Sequence, residues 1–323
     1  MKMRKLEEAA DTILNTCMGL NKDERFLVIY DRSKEDIANV LLERARRISN
    51  YTDKVKIPIA KIHGEEPPSK VAKIMKEYDV IVIVTKMSLS HTKARRDASR
   101  LGVRIVTMPG ITKAIMIRTL TANYYRINKT CQFLYNLLKN RRKLRLITAL
   151  GTDVIFHINK PFKDTGLYRK KGSFGNLPAG EVGFAPVENK TNGTIVIDKT
   201  MAGIGKLRAP IRLEIEGGFV KRISGKKEAN RLIRLLKKFN NRNVYNIAEF
   251  AIGTNYKAKV TGITLEDEKA YGTVHIALGD NTSFPGGKTK APIHLDGIIS
   301  KPTILLGSKA IIKNGILNPK VFK

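Results

Sequence analysis

The chain has little of the chemistry that would mark it as secreted, membrane-spanning or nucleotide-dependent. Its 323 residues include two cysteines, Cys17 and Cys131. They are far apart in sequence and sit in helical patterns, so a disulfide framework is not expected and a reducing compartment fits. No apolar run approaches the ~20 residues that a bilayer span needs, and the opening MKMRKLEEAADTIL carries too many charges for a secretory signal. A soluble, cytoplasmic protein is the expectation. No GxGxxG follows the first apolar run and IYDRSKED offers no glycine loop to cradle phosphate, so no dinucleotide is inferred. No internal repeat or low-complexity segment is evident.

Acidic residues are scarce beside basic ones, 29 against 60, for a formal charge of +31. A nucleic-acid partner is possible on that charge, because clustered cations gain affinity by releasing counterions. The cations come instead as short groups such as Arg95-Arg96, Arg141-Arg142-Lys143 and Lys226-Lys227, with no long basic tail and no aromatic-interleaved patch. Scattered solvated faces are the favoured reading.

What the chain does have is 42% hydrophobic residues and enough length for two domains, each with its own core. Apolar runs RFLVIYD, VKIPIA, DVIVIVT and VRIVTMPG alternate with helical stripes in residues 1–120. Near-continuous Val/Ile runs alternating with helices predict a doubly wound, Rossmann-like α/β domain around a parallel sheet. A helix over about 121–140 is expected to bridge, within a 121–142 connector. Residues 143–323 change texture to short β-branched runs and glycine turns, PIRLEIEGGFVKRISG being a hairpin signal. With one helix, KKEANRLIRLLKKFN, they predict an α+β domain, mainly antiparallel, that carries the metal site.

Five residues there carry candidate chemistry: Glu181 in NLPAGEVGFAP, Glu249 in AEFAIGTN, His275 in GTVHIALGDN, and His294 with Asp296 in PIHLDG. Residues i and i+2 of a strand project to one face, so His294 and Asp296 would converge on one point. Glu249 lies between Ala248 and Phe250, where a buried carboxylate needs a partner. Either residue type alone is commonly a satisfied core or surface group; together they favour a shared divalent ion. Gly286-Gly287 in FPGGKTKAP suggests a mobile loop between the two histidine motifs, a lid or a surface turn.

The ordered set GTDV, NLPAGEV, AEFAIGTN, EKAYGTVHIALGDN and HLDG resembles the metallo-aminopeptidases typified by aminopeptidase T and aminopeptidase S. The resemblance implies a hydrolase with two divalent ions (Zn, Co or Mn) on Glu181, Glu249, His275, His294 and Asp296. It further implies Glu181 or Glu249 as the catalytic proton acceptor, a small peptide substrate and a homodimer. Family peptidases place a tyrosine shortly after the motif histidine, whereas here IALGDNTSF follows His275. The same motifs are similar to those of 2,5-dihydroxypyridine dioxygenases, whose triad would map to His275, His294 and Asp296 around one Fe(II). Metal-dependent removal of an N-terminal residue is the leading expectation, ring-cleaving dioxygenation the alternative, and a basic nucleic-acid-binding scaffold with a degenerate pocket the third.

Overall fold

A computed structural model describes residues 2–318. The fold is mixed α/β, and its contacts divide into two compact units. One comprises Met1–Asn128 with Asp164–Ala179, the other Lys129–Lys163 with Gly180–Lys323.

In the first unit the apolar runs become parallel strands, ordered Tyr51–Ile57, Arg25–Asp31, Val80–Val84, Arg104–Thr107 and Phe174–Asn176. VIVIV is buried at all five positions, as expected where a sheet is covered on both faces. Leu27, Ile29, Ile81, Ile83 and Ile105 pack with Val71, Met75, Ala94 and Ala98 from the helical segments that follow. The Phe174–Asn176 strand extends this sheet from a loop-like sequence, GSFGNLP, that carries no strand periodicity. The helix expected over 121–140 runs Tyr124–Leu138; its residues through Asn128 belong to the first unit and those from Lys129 to the second. Among the described residues no helix is long and apolar enough to cross a membrane.

The second unit is built on a sheet whose central order is His294–Ser300, Thr273–Gly279, Ile247–Gly253, Glu181–Pro186 and Asp153–Asp164. The first four are antiparallel neighbours. Antiparallel pairs at matched positions share a face, so register alone sorts their side chains. Phe184 faces Phe250, and Phe250 faces Ile276. With Phe156 these rings form a core cluster, the Phe184–Phe250 and Phe156–Phe250 centroids each being 5.2 Å apart. This aromatic side anchors the sheet, leaving the alternate positions free for other work.

Candidate metal centre

Those alternate positions collect the polar residues. Gly253 pairs with Glu181, Ala251 with both Gly183 and His275, and Ala277 with both Glu249 and Asp296. Gly279 pairs with His294. Side chains of Glu181, Glu249, His275, His294 and Asp296 therefore share one face of four adjacent strands. The intervening positions on that face are Gly183, Ala251, Gly253, Ala277 and Gly279, residues with little or no side chain. Large residues stand on the core face and small ones on this face, which is closed over: Ala251 and Ala277 are fully buried. Gly183 shows how tight the arrangement is: a Cβ there would lie 2.5 Å from that of Ala251.

All five residues singled out in the sequence come together. Glu181, Glu249 and His275 form one group whose ligand atoms lie within 4.8 Å of one another, and Glu249, His294 and Asp296 form a second. Glu249 belongs to both. His275 Nε2 is 3.5 Å from Glu181 Oε2 and 3.5 Å from Glu249 Oε1. His294 Nε2 is 3.0 Å from Glu249 Oε2 and 3.4 Å from Asp296 Oδ1. Several of these separations are long for hydrogen bonds, but they match the edges of a donor polyhedron with bonds of ~2.1 Å.

The surroundings fit a cation in two further respects. Asp280 O lies 2.7 Å from His294 Nδ1; a proton held there leaves the Nε2 lone pair facing Glu249 and Asp296, as in metal-ligating histidines. Among the described residues Glu181 Oε2 is buried without a hydrogen-bond partner, an unusual state for a carboxylate oxygen unless a cation or a proton donor completes it. His275 Nδ1 is likewise buried and without one.

Two members of the site went unnoticed in the sequence. Lys269, 2% exposed, donates to Glu181 Oε1 at 2.7 Å and to Glu268 Oε1 at 2.9 Å. Gly253 admits this segment: a Cβ there would lie 2.3 Å from Ala270 O. In LEDEK these residues read as an exposed charged turn. The available signal was their position just before a strand buried at every residue, where charges must be compensated.

The electrostatics follow from crowding four carboxyl groups and two imidazoles around one ammonium. Burial pushes the Glu268 carboxyl up to about 8; Lys269 opposes the shift while Asp296 and Glu181 add to it. Burial would lower His275, but Glu249, Glu181 and Asp296 outweigh it and raise the imidazole to about 9. His294 is also raised, burial being outweighed by Asp296 and Glu249. For Glu249 and Asp296 burial acts upward, yet the two imidazoles hold both carboxyls below their ordinary range. The site thus attracts positive charge strongly, and a divalent ion would displace protons from the imidazoles.

The family model described as 2,5-dihydroxypyridine 5,6-dioxygenase (NicX) matches residues 31–319. The chain belongs to this dioxygenase family. A curated relative, 2,5-dihydroxypyridine 5,6-dioxygenase from Pseudomonas putida KT2440, is 27% identical over 253 residues, 72% of this chain and 70% of the relative. The solved structure of 2,5-dihydroxypyridine dioxygenase from the same strain superposes with a TM-score of 0.86 at 21% identity, covering 100% of this chain and 99% of that one. Wild-type AmpT from Thermus thermophilus gives a TM-score of 0.72 at 17% identity, with 98% and 100% coverage. The similarity to the aminopeptidase is therefore one of fold.

Family membership overturns the expected metallo-aminopeptidase: this dioxygenase family is an oxidoreductase family, not a hydrolase or protease family. The physical reason is that two imidazoles and three carboxylates on one sheet face could hold a cation in either chemistry and do not by themselves select the reaction. Glu181 and Glu249 beside the triad are compatible with two ions and hydrolysis but do not require them. The absent tyrosine after His275 was the better guide.

Proposed function

We propose that this chain is a ring-cleaving dioxygenase acting on a dihydroxypyridine, with one Fe(II) held by His275, His294 and Asp296. The observation that carries the reading is the family match over residues 31–319; the triad takes His275 from one ligand group and His294 and Asp296 from the other, the two groups meeting at Glu249. Two imidazoles and a carboxylate suit ferrous iron, which in that setting supplies open positions for a chelating substrate and dioxygen.

The protein's own groups have separable tasks. The Asp280 carbonyl holds the proton of His294 at Nδ1. Glu249 lies between both imidazoles and orients them. Lys269 occupies one oxygen of Glu181, so the other, Oε2, is the acceptor for the proton that a substrate hydroxyl gives up. Glu181 is thereby the general base. The approach to the site is from the side of His294 and Asp296, whose side chains are 27% and 14% exposed. Lys269 already compensates part of the carboxylate charge, which favours one ion over two.

The test is anaerobic loading with Fe(II), followed by exposure to 2,5-dihydroxypyridine in air-saturated buffer. The expected result is about one iron per chain, loss of substrate matched by equimolar dioxygen uptake, and metal retention reduced at least ~100-fold in His275→Ala. A chain that binds one iron and consumes no dioxygen with any dihydroxypyridine overturns the reading.

A further inference from the structure

The segment from Asp280 to Ile293 joins the strands that carry His275 and His294, and its glycine pair invites a reading as a lid. Its hydrogen bonds describe a tied segment instead. Asn281 N donates to Thr289 O at 3.0 Å, and Thr289 N returns a bond to Asn281 Oδ1 at 2.8 Å. Inside that closure Phe284 N donates to Asn281 O at 3.0 Å and Gly287 N to Phe284 O at 3.1 Å. Asn159 Nδ2 donates to Gly286 O at 3.0 Å.

Glu188 ties the closure down. Its Oε1 accepts from Asn281 Nδ2 at 3.1 Å and from Lys288 N at 3.1 Å, and its Oε2 from Thr289 Oγ1 at 2.7 Å. Three bonds from one carboxylate, all into one segment, are charge-assisted and geometrically demanding. Glu188 follows the strand that begins with Glu181, yet lies outside the ligand groups. What it holds is adjacent to them. Phe284 sits with its centroid 5.5 Å from the His294 ring and 5.0 Å from that of Phe162, stacked on the latter at 28°. The same segment begins with Asp280, whose carbonyl meets His294 Nδ1.

We infer that Glu188 is a positioning residue for the metal centre: by tying the 281–289 segment it fixes Phe284 and Asp280 against His294 and so sets that ring's orientation toward the ion. The segment is then a cradle for a ligand rather than a gate. The inference rests on the iron reading above, and goes beyond it by assigning control of metal affinity to a residue outside the ligands. Glutamine can keep the pattern, accepting from Asn281 and Lys288 through its oxygen and donating to the Thr289 hydroxyl; alanine can keep none of it.

The experiment is anaerobic titration of chelator-stripped protein with Fe(II), and with Co(II) as a spectroscopic probe, for wild type, Glu188→Ala, Glu188→Gln and the milder Thr289→Val. Thermal melting of each metal-free variant is recorded alongside. Affinity is expected to fall ~10-fold in Glu188→Ala and a few-fold in Thr289→Val, with Glu188→Gln within about twofold of wild type. The Co(II) absorption bands should shift in Glu188→Ala and return in Glu188→Gln. Wild-type affinity and spectrum in Glu188→Ala or, where that variant does not fold, in Thr289→Val overturn the inference and leave the iron reading standing. A wild-type chain that binds neither ion overturns the iron reading and the inference with it.

Discussion

The two ends of the site hold their imidazoles by different means. At the His275 end Glu181, Glu249 and His275 are all buried, the nearest contacts are charges, and Glu181 Oε2 and His275 Nδ1 have no hydrogen-bond partner among the described residues. At the His294 end the side chain is 27% exposed, but Nδ1 is bonded to a backbone carbonyl and a tied segment stands beside the ring. The sealed end is ordered by packing and charge balance, the open end by directed hydrogen bonds. Where water is excluded an unbalanced charge is costly, and where water enters only directional bonds hold a ring in place.

The sharpest way to break the contrast is to remove the cation of the sealed end. Lys269→Met leaves Glu181 and Glu268 buried without their ammonium, and a loss of ~3–5 kcal/mol is expected by denaturant unfolding of the metal-free chain. A loss below ~1 kcal/mol would show that water reaches this end after all. A smaller effect is expected from the sheet itself. Gly183→Ala drives a methyl to 2.5 Å from the Ala251 Cβ, and overpacking of this kind costs ~1–3 kcal/mol. The same measurement checks it, with metal affinity falling as the strands separate.

The gentlest probe is pH. The folded-state value of His275 lies above its ordinary 6.5, at about 9. Its stabilisation is fully present below 6.5 and is lost as pH rises through 9. Glu268 is raised from 4.5 to about 8, so folding favours its protonated form and stability again falls between those values as pH rises. The melting temperature of the metal-free chain should therefore decline from pH 6.5 to 9, less steeply in Glu268→Gln. A flat profile would mean that the sealed end is not organised by these charges.

Much of the site was legible because strands make periodicity visible. A carboxylate in AEFAIG and a histidine in TVHIALG stand out where every neighbour is apolar, and HLD places two ligands on one face by counting. Lys269, Glu268 and Glu188 were not legible, since they lie in non-periodic segments whose composition suits a solvated turn. Only the fold places LEDEK against the Glu181 strand and VENKT beneath the 281–289 segment. The parallel strands of the first sheet were readable as Val/Ile runs, whereas Phe174–Asn176 was hidden in a glycine-containing stretch. The reaction was legible only as an alternative, because ligand identity constrains the ion more than the substrate.

One irregularity in the Glu249 strand bears on how such a site tolerates change in the chain around it. Ile247 pairs with Leu278 and Glu249 with Ala277, so Ala248 is an extra residue taken up in a bulge. The bulge lies between Ile247 and Glu249, with Asn246 bonded to Gly279 on its near side, so the extra residue is taken up before the carboxylate and leaves the pairing from Glu249 onward regular. A residue inserted between Glu249 and Gly253 has no such outlet and would turn alternate side chains over, sending carboxylate into the aromatic core. The stretch from Glu249 to Gly253 is therefore held to a fixed count, while the strand's extra residue is confined to Ala248, ahead of the carboxylate.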